Sequence, residues 1–118
     1  DDIDAVDAVD AELFPIFDEE AEELLPQLSS RLRDWAKKPT ESAHPAACMR
    51  TLHTLKGGAR LAGAMRLGEM AHRLETRIEQ LLADPPVSAS AVSRQKLRLP
   101  AMHHSIRARS AAVVTAHS

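Results

Sequence analysis

The residues with the clearest chemical potential lie in residues 51–63, which read T-L-H-T-L-K-G-G-A-R-L-A-G. If this segment is a helix, with about 100° between successive residues, its apolar side chains gather on one face. They are Cys48, Met49, Leu52, Leu55, Ala59 and Ala62. His53 follows Leu52 directly and therefore lies at the edge of that face or outside it. Because one nitrogen of a neutral imidazole is nucleophilic near physiological pH, the spacing predicts an exposed histidine that could react with a visiting partner.

Lys56 and Gly57 follow His53 at i+3 and i+4, the spacings at which helical side chains are neighbours. A positive charge and a missing side chain are therefore expected beside the imidazole. Two successive glycines inside a helix destabilise it by roughly 1 kcal/mol each relative to alanine, so each needs a compensating reason. Gly57 lies on the His53 side, which predicts room for a partner, whereas Gly58 points to the inner flank, which predicts close packing of another helix.

The segment H-T-L-K-G, followed by Gly63 six residues after Gly57, resembles the H-x-[IL]-K-G-x5-G signature of histidine phosphotransfer (HPt) domains of phosphorelays. A longer match combines H-T-L-K-G-G-A-R-L-A-G-A with L-G-E-M-A-H-R-L-E further along the chain. It is similar to HPt domains of CheA-like chemotaxis kinases, particularly the multi-HPt hybrid kinases that control type IV pili. The resemblance covers residues 10–83, which include the helix carrying His53 and its antiparallel neighbour.

The resemblance implies that His53, through its Nε2 atom, accepts a phosphoryl group from a histidine kinase catalytic domain. His53 would then pass the group to an aspartate in the receiver domain of a response regulator. Lys56 would supply positive charge to the phosphate oxygens, and Gly57 would give the partner's backbone room. Arg60 and Arg66 are expected to steer an acidic receiver pocket towards the site.

Such domains have no nucleotide site of their own, and this sequence contains neither a GxxxxGK[ST] nor a GxGxxG loop. No cofactor is therefore expected, and the chemistry must come from a partner. The chain is expected to be a phosphocarrier module of a CheA-like histidine kinase. Its acidic start and loosely patterned end suggest a piece of a larger hybrid kinase.

Length and composition favour one all-α domain. The chain has 118 residues, 3% aromatic residues and no Tyr, while Ala, Leu, Glu and Arg, which favour helix, are abundant. We expect an antiparallel up-down bundle of four helices, the HPt type. Its single domain spans residues 1–118: a lead-in at 1–9, helices at about 10–38, 45–62 and 66–83, and an irregular fourth region at about 89–116. Asp10 is the expected N-cap of the first helix.

Three features of the sequence qualify this outline. The fourth region has loosely spaced apolar residues interrupted by Pro100, which predicts two short helices divided at that proline. Cys48 is the only cysteine and lies on the apolar face, which predicts a small buried hydrophobic side chain and fits a reducing cytoplasm. His72 falls off the inner stripe of its helix and is expected to be exposed.

Other classes of function are less consistent with the sequence. None of the six histidines has a histidine partner at i+3 or i+4, so no metal site is expected. Charged residues before Arg31 are all acidic and those in residues 94–109 are all basic, a polarity typical of two solvated faces. No basic helix carries aromatic residues for stacking, which argues against nucleic-acid binding. No apolar run approaches the length of about 20 residues that crosses a bilayer, so we expect a cytoplasmic protein without membrane contact.

One alternative stays open at the level of sequence. The chain could be a non-catalytic helical module for protein-protein interaction, or a degenerate HPt domain kept for docking alone, in which His53 is exposed without reacting. Such a module needs no Lys-Gly pair beside the histidine, so the presence of Lys56 and Gly57 argues against this alternative. Phosphoryl uptake from a cognate kinase distinguishes the two.

Overall fold

The computed structural model describes the backbone of residues 9–117 and the side chains of residues 9–112. Over that range the chain is helical, without a β-strand: α1 Phe14–Lys37, α2 Ala43–Leu61, α3 Met65–Ala83, α4 Ala89–Gln95 and α5 Leu99–His117, with a 3-10 turn at Lys96–Arg98. α4, the turn and α5 together form the fourth helical segment. The predicted all-α bundle is confirmed. Of the predicted lead-in at residues 1–9, only Val9 lies within the described range.

The core is built from one face of each helix. Its fully buried members include Phe14, Leu28, Leu32 and Trp35 of α1, Leu52 and Leu55 of α2, and Leu67, Leu74 and Ile78 of α3. Each such side chain stabilises the fold by about 1.5–3 kcal/mol relative to an exposed one. α2 packs against both α1 and α3, so its rotation is fixed and its remaining face is directed outwards. None of the described helices has the length and apolarity to span a bilayer.

The turn between α2 and α3 is a Schellman motif. The N–H of Gly63 donates to the carbonyl of Arg60 at 3.2 Å, and the N–H of Ala64 donates to the carbonyl of Ala59 at 2.8 Å. Gly63 has a φ of 81°, a left-handed conformation that glycine adopts without steric cost. The chain therefore reverses within a few residues, and α3 runs back along α2.

Asp10 organises the entry to α1. Its Oδ1 accepts from the backbone N–H groups of Glu12 at 2.8 Å and Leu13 at 2.9 Å, as an N-terminal cap does. Its own N–H donates to the carbonyl of Ala62 at 2.8 Å. The assigned helix starts later than the sequence suggests, at Phe14, with Pro15 in its first turn. Asp10 therefore ties the start of α1 to the end of α2.

The fourth segment closes the bundle against α1 and α3. Val92, Met102 and Ile106 are buried, and the Ser110 hydroxyl donates to Asp18 Oδ2 on α1 at 3.0 Å. The two helices expected here are present, but their break lies at the 3-10 turn Lys96–Arg98 and not at Pro100. Proline is tolerated in the first turn of α5 because no intrahelical bond needs its missing N–H there.

Candidate functional site

His53 lies on the outward face of α2. Its neighbour Leu52 and the following Leu55 are completely buried, and this fixes the rotation of the helix. The His53 side chain is 60% exposed. The imidazole therefore projects from a packed helix hairpin into solvent, as the spacing predicts.

The His53 ring is held from one side by a carboxylate of the neighbouring helix. Glu75 of α3 is only 3% exposed, and its Oε2 lies in contact with Nδ1 of His53. Among the described residues, this oxygen forms no hydrogen bond of regular geometry, so its polar contact is the close approach to His53 Nδ1. A buried carboxylate requires polar partners, because its transfer from water is otherwise very unfavourable. His53 Nδ1 is therefore the group that compensates for the burial of Glu75 Oε2.

This contact determines which nitrogen of the ring can react. A carboxylate accepts hydrogen bonds and cannot donate one when ionised, so the proton belongs on Nδ1 of His53. Nε2 then carries the free lone pair. Glu75 orients His53 as the third group of a catalytic triad orients its base. The arrangement gives an oriented nucleophilic nitrogen at the surface.

Lys56 completes the cluster through the other carboxylate oxygen. Its Nζ lies 2.7 Å from Glu75 Oε1, and the side chain is only 18% exposed. The sequence predicts this ammonium beside the imidazole, and the structure brings the two residues together through Glu75. In this arrangement the charge of Lys56 offsets that of Glu75.

His72 lies at the margin of the same cluster. It is exposed, as predicted, and its Nδ1 is 3.7 Å from Glu75 Oε1. That distance is beyond a hydrogen bond. His72 therefore adds positive charge near the carboxylate only when it is protonated.

The two glycines after Lys56 have different surroundings. A Cβ built on Gly57 would meet nothing within 4 Å, whereas one on Gly58 would lie 2.9 Å from Cδ1 of Phe17. The prediction that Gly58 permits close helix packing is confirmed. The space over Gly57, one helical turn from His53, is open.

An apolar surface lies beside these glycines. Leu13, Ile16 and Leu61 are all exposed, and with Gly58 they line one groove between α1 and α2. We call these three residues the apolar shelf. Sequence reasoning missed it, although Ile16 and Leu61 fall outside the buried stripe of their helices. Exposed apolar side chains grouped together are typical of protein-protein contact surfaces.

The two arginines expected to steer a partner lie at the turn end of the hairpin. Arg60 is exposed near the end of α2, and Arg66 is exposed at the start of α3. A Cβ built on Gly68 would lie 3.1 Å from Cγ of Arg60, so the stem of Arg60 crosses α3 at that glycine. Both arginines place positive charge at the turn end of the hairpin.

Glu75 is a further residue of the candidate site that sequence reasoning missed. It follows Ala71 by four residues and precedes Ile78 by three, which places it at the edge of the buried stripe of α3. A carboxylate at the edge of one helix, opposite a histidine and a lysine on the next, is the signal that could have found it. Among the side chains described, those of residues 9–112, no group of three or more metal-binding residues has an arrangement suited to a metal ion.

Comparison with known protein families matches residues 12–109 to the Hpt domain. The chain belongs to this family of histidine phosphotransfer domains, which act as phosphotransfer modules in phosphorelays and interact with kinases and response regulators. Searches among curated proteins and among solved structures gave no match.

Proposed function

We propose that Nε2 of His53 is the phosphoacceptor of this module, which receives a phosphoryl group from a histidine kinase catalytic domain and passes it to a response-regulator aspartate. The observation that carries the proposal is the exposed ring whose Nδ1 rests on the buried carboxylate of Glu75. This geometry supports Nε2 as the atom that attacks phosphorus. Family membership supports the class of reaction.

The proposed reaction has two displacements at phosphorus. In the first, the Nε2 lone pair attacks the terminal phosphorus of the nucleotide held by the kinase, and the bond to the leaving diphosphate oxygen breaks. In the second, an aspartate oxygen of the receiver attacks the same phosphorus, and the N–P bond breaks. The Nδ1 proton stays between His53 and Glu75, whose negative charge stabilises the positive charge that develops on the ring. Phosphoryl transfer depends chiefly on such positioning and charge stabilisation.

We assign Lys56 the electrostatic part of the site. Its ammonium offsets the charge of Glu75 at 2.7 Å, which reduces repulsion between that carboxylate and an incoming phosphate. Its long flexible stem also lets the ammonium approach the phosphate oxygens as a point charge.

We assign docking of the receiver to the open surface next to His53. Gly57 leaves the approach free, and the apolar shelf offers exposed side chains for an apolar patch of the partner. Arg60 and Arg66 would attract the acidic pocket of a receiver, and such charges mainly accelerate association.

We infer further that the module serves a CheA-like kinase, of the kind that controls type IV pili. The support is the motif L-G-E-M-A-H-R-L-E, which contains both His72 and Glu75. A kinase that supplies nucleotide and a receiver that accepts the phosphoryl group would place the module in the cytoplasm.

The proposal is tested by a phosphorylation assay with purified candidate kinases and receivers, comparing the parent with His53→Gln. We expect acid-labile labelling of the parent and none of the variant. His72→Gln is the matched control, because it removes an exposed histidine of α3 and should keep most of the labelling. Undiminished labelling of His53→Gln would remove His53 from this role. Docking to a receiver without phosphoryl uptake from any kinase would favour the non-catalytic module.

A further inference from the structure

A second surface is formed by the basic residues of the fourth segment together with α3. A groove of about 480 Å³ runs between α3 and the region of α4 and the 3-10 turn. Its polar lining consists of Arg73, Arg77, Arg94 and Arg98, and its apolar lining includes Met70 and Leu97. We call these six residues the arginine groove.

The charge of the arginine groove is largely uncompensated. Arg73 pairs with Glu69 at 3.2 Å. In the part of the chain that the structure describes, Arg77, Arg94 and Arg98 form no ion pair. Several guanidinium groups along one groove create a positive potential that attracts anionic groups. The groove therefore complements a negatively charged partner.

The arginine groove also exposes apolar surface. Leu97 is 76% exposed, because the 3-10 turn holds it outside the bundle. Met70 is half-buried, and the fully buried Met102 lies beneath the groove. An apolar centre within a charged rim is the usual anatomy of a protein-protein interface.

The arginine groove faces away from the reactive histidine. Arg73 and Arg77 each lie two residues from Glu75 on α3, which places them roughly 160° around the helix from it at about 100° per residue. A partner in the groove and a partner at His53 therefore approach different sides of the hairpin. The two surfaces are compatible with simultaneous binding.

We propose that the arginine groove binds an acidic segment of a partner protein, in which carboxylates flank a large apolar side chain. Guanidinium groups match carboxylates by paired hydrogen bonds, and Leu97 with Met70 receives the apolar side chain. A nucleic acid fits less well, because no aromatic ring lines the groove for base stacking and phosphates leave Leu97 without an apolar contact.

The test measures fluorescence anisotropy of a labelled peptide that carries glutamates and leucines at helical spacing, titrated with the full chain. Arg94→Glu and Arg98→Glu are each expected to weaken binding about tenfold, and Leu97→Ala to weaken it severalfold. Arg33→Glu is the matched control: it makes the same charge change at an exposed residue of α1, and should bind nearly as the parent does. His53→Gln should bind with the parent's affinity. Circular dichroism verifies that each variant is folded.

Four results would overturn the proposal. The first is absence of measurable peptide binding to the parent. The second is equal weakening by Arg33→Glu and Arg94→Glu, which would mean that net charge alone attracts the peptide. The third is tighter binding of a single-stranded oligonucleotide or of phosphatidylglycerol vesicles than of the peptide, which would assign the groove to a polyanion. The fourth is a dimer of the parent that Arg94→Glu dissociates, which would assign it to a second copy of the chain.

Discussion

At the scale of single residues, the ring of His53 is held by an acid from another helix. Glu75 contacts Nδ1 of His53 with one carboxylate oxygen and Lys56 Nζ with the other. The histidine, the acid and the lysine therefore act as one unit. Removing any one of them changes the surroundings of the other two.

Glu75→Gln is expected to slow phosphoryl transfer by about 10–100-fold, by analogy with the loss when the hydrogen-bond partner of a metal-bound histidine is removed. The amide still fits the site but carries no charge to stabilise the phosphorylated ring. The measurement is the single-turnover transfer rate, combined with the 15N chemical shifts of His53, which report the proton position. Glu79→Gln, an exposed change on the same helix, is the control. Parent-like rates and shifts in Glu75→Gln would contradict the positioning role.

Lys56→Ala is expected to slow transfer with the fold intact, because it removes the charge that offsets Glu75. Lys56→Arg should restore part of the rate, since it keeps the charge with a different shape. The two variants are compared by transfer kinetics and by urea denaturation. If Lys56→Ala transfers at the parental rate, the electrostatic role assigned to this residue is wrong.

At the scale of elements, the two successive glycines of α2 have different surroundings. One allows α1 to pack closely, and the other leaves the space beside His53 open. Gly58 faces the ring of Phe17 on α1, while Gly57 faces open space one turn from His53. Both lack a side chain, and each for a different physical reason. Substitution by alanine should therefore affect stability in opposite directions.

Gly57→Ala is expected to stabilise the chain by up to about 1 kcal/mol, because alanine favours the helix and its Cβ meets nothing. It should nevertheless slow transfer to a receiver, because the methyl group narrows the approach to His53. Gly58→Ala, the matched variant, should destabilise the chain by about 1–3 kcal/mol, because its Cβ overlaps Phe17. Urea denaturation measures the stability of the two variants, and transfer kinetics measure the rate of phosphoryl transfer to a receiver. A Gly57→Ala variant with unchanged transfer would show that the partner does not approach there.

Part of the candidate site can be predicted from the sequence, because the spacing of apolar residues within one helix shows which side chains face outwards. The exposed face with His53 and the inward face with Gly58 follow from the positions of Leu52 and Leu55 alone. Glu75 was missed because its role depends on how far α3 is shifted along α2, which the pattern of either helix does not contain. The sequence predicts the break in the fourth segment at Pro100, because it does not reveal the 3-10 turn Lys96–Arg98 that directs Leu97 outwards.

At the scale of the whole molecule, a single buried thiol links stability to pH. Cys48 is completely buried, as predicted, and burial is the main cause that raises its pKa from 9.0 to about 11, while the Arg31 charge opposes the shift. Between these values the unfolded chain releases the thiol proton and the folded chain retains it.

The free energy of unfolding should therefore decrease as the pH rises from about 9 to about 11, because the unfolded state then binds fewer protons. The contribution of Cys48 is fully present below that window. Urea denaturation at a series of pH values checks this, with Cys48→Ala as the comparison, because other groups also titrate there. Parallel pH profiles of the two proteins would contradict the assignment of this slope to Cys48.

The main packing of α4 and α5 is on α1 and α3, whereas α2 packs mainly between α1 and α3 on the other side. The helix that carries His53 therefore has little contact with residues 89–117, the last quarter of the chain. Substitutions on the exposed face of that quarter are therefore expected to leave the surroundings of His53 unchanged. The surface around His53 and the exposed surface of α4 and α5 can therefore change independently of each other within one small bundle.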